Sequence, residues 1–169
     1  MSTGRSSLFF VLRDMILMSS TIINTVKEIA QPIVEQEDMF LVDVEVKNAK
    51  IQEIWVLVDT ENEGVDLDAC ARVSKEVSYI LDKKDLLSKA YRLNVSSPGL
   101  SRPLSDRRQY PKNQGRTAKV KYNINGEYIT VEGELKTVTD SQIELKPEDD
   151  NLVVIPFENI VETKIVPKI

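Results

Sequence analysis

Residues 96–103, Ser-Ser-Pro-Gly-Leu-Ser-Arg-Pro, divide the chain into two unlike halves. Each proline fixes its own φ and lacks an N–H donor, so no helix or central strand can run through this stretch. Whatever lies on either side must build its own core. Pro98-Gly99 suits a type II turn, with proline at the second position and glycine supplying a positive φ at the third. Pro103 restrains Arg102 to an extended backbone. Ser96, Ser97, Pro98, Gly99, Arg102 and Pro103 thus read as an elbow motif. Three uses are open to it: a serine on a tight turn, a stiff joint between domains, or a mount that holds Arg102 outward.

The segment before the elbow mixes two periodicities. Ile22, Val26, Ile29 and Ile33 recur at helical spacing, with Ser19 or Ser20 as the expected cap and Pro32 expected to kink or shorten the end. Phe40, Val42, Val44 and Val46 alternate with Asp43, Glu45 and Lys47, which predicts a half-buried strand. After the short Asn48-Ala49-Lys50 turn, Ile51–Thr60 is apolar enough for the centre of a sheet. Asp66 caps a second helix whose Cys70, Val73, Val77 and Ile80 share a face. Tyr91–Val95 is a third strand. The order is αββαβ, and its last strand–helix–strand step is expected to cross over right-handed, placing both helices on one face.

Beyond the elbow only strand patterns remain. Asn125-Gly126, between two alternating runs, is a strong hairpin signal. Gly133 lies inside a long strand, where it permits a sharp bend. Residues 142–145 and 152–157 are further strands, Pro156–Asn159 is a helical turn, and residues 160–166 form the last strand. Five short strands with a bent second member predict a small, partly open barrel. The expected fold class is α+β. It places an extension at residues 1–17, an α/β domain at 18–97, an elbow and linker at 98–112, and a barrel at 113–169.

The 169 residues suffice for one medium or two small domains. The chain lacks histidine, the commonest general base and metal ligand, and has a single cysteine. Cys70 falls on the apolar face of the second helix and reads as core. Ser96 and Ser97 have no G-x-S-x-G setting and no histidine to activate them. Asp59, Glu61, Glu63, Asp66 and Asp68 crowd one loop but miss the EF-hand pattern, and capping accounts for Asp66 and Asp68. No Gly-rich phosphate loop occurs. No catalytic residue, metal site or cofactor is expected. Arg13 and Asp14 interrupt the N-terminal apolar run, no apolar run approaches the ~20 residues of a membrane span, and the expectation is a cytoplasmic protein.

The net charge of −5 conceals an asymmetry. Residues 18–95 hold 9 Lys+Arg against 15 Asp+Glu, whereas residues 96–169 hold 11 against 11. Arg102, Arg107, Arg108, Lys112, Arg116, Lys119 and Lys121 form a run broken only by Asp106. Such a run is either solvated surface or a phosphate-binding patch. Arg107 and Arg108 fall in a polar linker without apolar periodicity. Lys119 and Lys121 should share the solvent face of the first barrel strand, opposite Ala118 and Val120. All seven are RNA-binding candidates.

The first half has the look of KH-related, prodomain-like αββαβ domains, although no G-x-x-G tetrapeptide is present to clamp RNA. At Leu93–Leu104, LNVSSPGLSRPL, the chain resembles the ribosome maturation factor RimP family. The family's mark is a strand ending in V-S-S-P-G-L-x-R-P-L. Residues 59–82 resemble its acidic loop and second helix, residues 155–167 resemble its last strand, and the likeness spans residues 18–166. Residues 1–17 have no counterpart in it, and Met18 is the expected start. Ser101 departs from the acidic residue frequent there. The resemblance implies an N-terminal α/β domain, a C-terminal SH3-like or Sm-like barrel, and a cytoplasmic, bacterial, monomeric protein that is not an enzyme. It implies binding to the immature or free small (30S) ribosomal subunit. Its implied partners are small-subunit rRNA near the central pseudoknot and a basic small-subunit protein beside the decoding centre, with no membrane. The alternative reading is a free-standing Sm-like RNA-binding regulator.

Overall fold

The computed structural model describes residues 3–62, 64–87, 90–99 and 101–167, with side chains from residue 19 onward. The chain divides into two compact units, Met1–Asp59 with Val65–Ser97, and Thr60–Gly64 with Pro98–Ile169. The architecture is α+β, an αββαβ region followed by an antiparallel sheet.

In the first unit the order is α1 (Thr3–Glu35), β1 (Phe40–Lys47), β2 (Gln52–Asp59), α2 (Leu67–Lys84) and β3 (Tyr91–Ser96). β2 is central, antiparallel to β1 and parallel to β3. A parallel pair needs a crossover, and α2 supplies it. Val26, Ile29, Ala30, Ile33 and Val34 of α1 and Cys70, Val73, Val77 and Leu81 of α2 share one core with Val44, Ile54, Val56 and Val58. Both helices therefore cover the same face of the sheet. Asp66 caps α2 by accepting the Asp68 N–H at 3.0 Å. At the other end Lys83 and Lys84 complement the helix dipole.

Two expectations for this unit need correction. No cap forms at Ser19 or Ser20, because α1 runs continuously from Thr3. The Leu-, Phe- and Met-rich stretch upstream tolerates helix, and serine inside a helix costs only a fraction of a kcal/mol, about 0.5. The expected extension at residues 1–17 lies outside the described side chains. Pro32 does sit in the last turn, and the helix ends three residues later at Glu35. The alternation of β1 is also broken. A bulge between Leu41 and Asp43 leaves Val42 without a partner on β2. The extra residue switches faces. The helix-covered core takes Leu41, then Val44 and Val46, while Phe40 is buried outside that cluster.

The second unit contains β4 (Thr117–Ile124), β5 (Glu127–Val138), β6 (Gln142–Lys146), β7 (Val153–Pro156) and β8 (Ile160–Ile165). Their order across the sheet is β7-β6-β5-β4-β8, with every neighbouring pair antiparallel. β7 and β8 are the edges of this order, so the sheet is not a closed barrel. Asn125 (φ 52°) and Gly126 (φ 87°) make the two-residue hairpin between β4 and β5. Gly133 matters for close approach: a β-carbon there would lie 2.7 Å from the backbone of Lys146 and Pro147. Glu134 pairs with both β4 and β6, and beyond it β5 continues against β6, with a bulge between Leu135 and Thr137. The expected helical turn is a 3-10 turn at Phe157–Asn159. Ala118, Val120, Tyr122, Leu135, Ile143, Leu145, Ile155, Phe157 and Ile165 form the core.

Residues 104–114 fold onto this sheet. The Leu104 N–H donates to the Thr163 carbonyl at 2.8 Å. Two 3-10 turns follow, Arg107–Gln109 and Pro111–Asn113. Gln109 is buried, and its Oε1 accepts the N–H groups of Ser105 and Asp106 at 2.9 and 3.0 Å. Buried Asn113 donates to the Gln109 carbonyl at 2.6 Å. A polar composition here marks satisfied buried groups as well as solvated ones.

Candidate nucleic-acid interface

The seven basic candidates differ in the partners they have. Arg107 lies over the Phe157 ring, its guanidinium carbon 4.7 Å from the centroid, and donates to the Asp140 carbonyl at 3.2 Å. Arg108 makes a two-pronged pair with Asp106, at 3.0 and 2.8 Å. That guanidinium holds the Asp106 carboxyl below the ordinary aspartate range, against the opposing effect of burial. Arg116 donates to Asn113 Oδ1 at 3.2 Å. Lys112 and Arg102 are half-buried and already engaged by neighbours. Arg107 and Arg108, exposed in a segment without apolar periodicity, thus also have partners within their own unit. Both fasten the first 3-10 turn, a role hydrophobic periodicity cannot register because it acts through guanidinium groups.

Lys119 and Lys121 behave as alternation predicts. Both are exposed on β4, between buried Ala118, Val120 and Tyr122. Sheet pairing surrounds them with mixed charge. Lys119 stands across from Glu132 on β5 and Lys164 on β8, and Lys121 across from Thr130 and Glu162. The Lys164–Glu162 pair is 3.7 Å apart. Lys121 Nζ also sits 5.1 Å from the centroid of the Tyr128 ring, which is 64% exposed. Tyr128 was missed in reading the sequence. Carrying the alternation through the Asn125-Gly126 turn would have put it on the lysine face.

The elbow differs from its expected geometry. Gly99 is not in the positive-φ region, which among the described residues holds only Gly115 and Gly126 of the glycines. The turn lies two residues later, closed by the Arg102 N–H donating to the Gly99 carbonyl at 3.0 Å, and its second residue, Leu100, lies outside the described residues. Arg102 is half-buried rather than held wholly outward. Ser96 Oγ donates to the Ser97 carbonyl at 3.1 Å, a local bond with no base beside it.

The remaining titratable groups have structural surroundings. Cys70 is buried, and burial raises its thiol pKa. Among the described residues no group of three acidic or cysteine side chains is arranged to hold a metal; Glu63 of the acidic loop lies outside them. An open concavity of about 530 Å³ is lined by Lys136, Thr137, Glu144, Lys146, Asn151 and Leu152. Lys136 there is paired with Glu134 at 2.8 Å. No helix among the described residues is long and apolar enough to cross a membrane.

Residues 29–101 match the family model described as the RimP N-terminal domain. This match supports the RimP family. The match begins inside α1, takes in β1, β2, α2 and β3, and ends at Ser101 within the elbow turn. The αββαβ unit thus resembles the RimP N-terminal domain from the end of α1 onward, and the basic candidates from Arg102 onward lie beyond the matched residues. RimP proteins are ribosome maturation factors, a family associated with the ribosomal subunit and carrying no catalytic assignment.

Proposed function

We propose that this chain is a non-enzymatic factor that binds the immature or free small ribosomal subunit and assists its assembly in the bacterial cytoplasm. The observation that carries this reading is the RimP N-terminal domain over residues 29–101. The exposed Lys119–Lys121 face supports contact with rRNA, since exposed ammonium groups beside one another neutralise adjacent phosphates. The acidic excess of residues 18–95 supports a second contact, with a basic small-subunit protein near the decoding centre, because opposite potentials steer association.

We read residues 18–97 as a KH-related domain and residues 113–169 as a partly open Sm-like or SH3-like barrel, acting as a monomer. The close approach of Lys146 and Pro147 to Gly133, the bulge between Leu135 and Thr137, and the 3-10 turn before β8 support the barrel reading. The elbow residues Ser96, Ser97, Pro98, Gly99, Arg102 and Pro103 then set domain orientation.

Co-sedimentation tests the proposal. The factor should travel with free small subunits and leave assembled ribosomes. Retention on small RNAs with no subunit association would replace it with the free-standing Sm-like regulator.

A further inference from the structure

The β4–β5 hairpin stands clear of its sheet. β8 accompanies β4 only as far as Tyr122, and β6 joins β5 only from Glu134. Among the described residues the tip, residues 123–129, thus has no third strand on either side. Its side chains are unusually apolar for a projecting turn: Ile124 is 42% exposed, Tyr128 64% and Ile129 38%. The tip is nonetheless well defined, because Asn123 Oδ1 accepts the Gly126 N–H at 3.0 Å and the two-residue turn fixes the register.

Pairing places Asn123 beside Tyr128, Lys121 beside Thr130 and Lys119 beside Glu132, so these six residues share the face turned away from Ala118, Val120 and Tyr122. The carboxylates of this face belong to the rows of Lys119 and Lys121, where Glu132 and Glu162 stand. The tip row of Asn123 and Tyr128 has none, and Glu127 alternates to the other side. An exposed aromatic ring beside an ammonium group offers a stacking surface to any nucleobase, while lysines next to it meet the flanking phosphates. The packing of the unit does not require such a ring.

We propose that Tyr128 is a stacking platform for an unpaired base of single-stranded RNA, with Lys121 and Lys119 contacting the adjacent phosphates. This rests on the reading of the lysine face as an rRNA contact and adds its missing base-binding residue. It also gives that contact a preference for unpaired RNA over duplex, since only an unstacked base offers a free face.

The test is equilibrium binding of the full chain to fluorescent oligouridine and oligoadenosine of about ten nucleotides at low salt. Tyr128→Ala should weaken binding by about tenfold or more, the effect of losing one base–aromatic stack. Tyr128→Phe keeps the ring and should bind like the wild type. The salt slope should stay unchanged in Tyr128→Ala and fall by about one unit in Lys121→Gln. Circular dichroism and melting should match the wild type, so that a loss reports binding and not folding. If the wild type binds single-stranded RNA and Tyr128→Ala binds it equally well, the stacking platform is overturned while the RNA contact stands. If the wild type binds neither oligonucleotide, both fall. Loss of subunit binding in Tyr128→Ala with unchanged RNA affinity would assign the tip to a protein partner and overturn the proposal.

Discussion

The hydroxyl of Tyr110 donates to Thr163 Oγ1 at 2.8 Å, a buried bond between residues 53 positions apart. The same ring meets Phe157 edge-on, centroids 5.0 Å apart at 87°. Together with the Leu104 bond to Thr163, it ties the polar segment after the elbow to the last strand. Burial raises the Tyr110 pKa above the ordinary tyrosine range. Tyr110→Phe should lower stability by about 1–2 kcal/mol, because Thr163 loses its partner while the ring contact survives. Urea denaturation measures this, and an unchanged midpoint would show that the bond is dispensable.

The basic residues should separate into two classes. Lys119→Ala with Lys121→Ala should flatten the salt dependence of subunit binding by about 0.7–0.9 per lost phosphate contact and leave the melting temperature almost unmoved. Arg107→Ala with Arg108→Ala should do the reverse. It removes the stack on Phe157 and the pair with Asp106, for about 0.5–2 kcal/mol of stability, with a smaller change in salt slope. Salt titrations and melts of both double mutants check the assignment. Coincident slopes for all proteins would make the lysines ordinary solvated surface.

Two glycines should respond oppositely to alanine. At Gly99 a new β-carbon would meet only Ser101 Oγ at 3.8 Å, an ordinary contact, so Gly99→Ala should stay within about 0.5 kcal/mol of wild type. At Gly133 it would meet backbone at 2.7 Å, and Gly133→Ala should cost about 1–3 kcal/mol through forced movement of Lys146 and Pro147. Chemical denaturation of the pair decides. A tolerated Gly133→Ala would mean that β5 and β6 do not approach so closely.

Tyr91 carries an alkaline signature. Burial, reinforced by its 2.7 Å hydrogen bond to Asp82, pushes its pKa up to about 12. An unfolded tyrosine ionises near ~10. The folded state therefore holds this proton more tightly, and the contribution to stability is complete below pH ~10 and declines as pH rises towards 12. Stability of the wild type should fall more steeply over that window than stability of Tyr91→Phe. Denaturation at a series of alkaline pH values reads the difference, and parallel curves would contradict it.

Local signals in the chain decided much of this protein. The Asn125-Gly126 turn, the Asp66 cap, the apolar face of α2 and the lysine alternation on β4 each depend on neighbours within a few residues, where steric preference and periodicity act directly. The SSPGLSRP stretch likewise marked where one texture ends and the other begins. Tertiary structure decided what depends on distant partners. The bulge at Val42 shifts which residues of β1 face the helices, because register is set against β2. Arg107 and Arg108 become fasteners because Phe157 and the first 3-10 turn are folded beside them. The elbow turn closes through Arg102 rather than through a positive φ at Gly99. The basic run, contiguous along the chain, is divided by strand pairing that sets Glu132 and Glu162 beside its lysines and Tyr128 against Lys121. Charge in a sequence is a one-dimensional count, whereas an interface is a surface, and only the pairing of strands places one residue next to another fifty positions away.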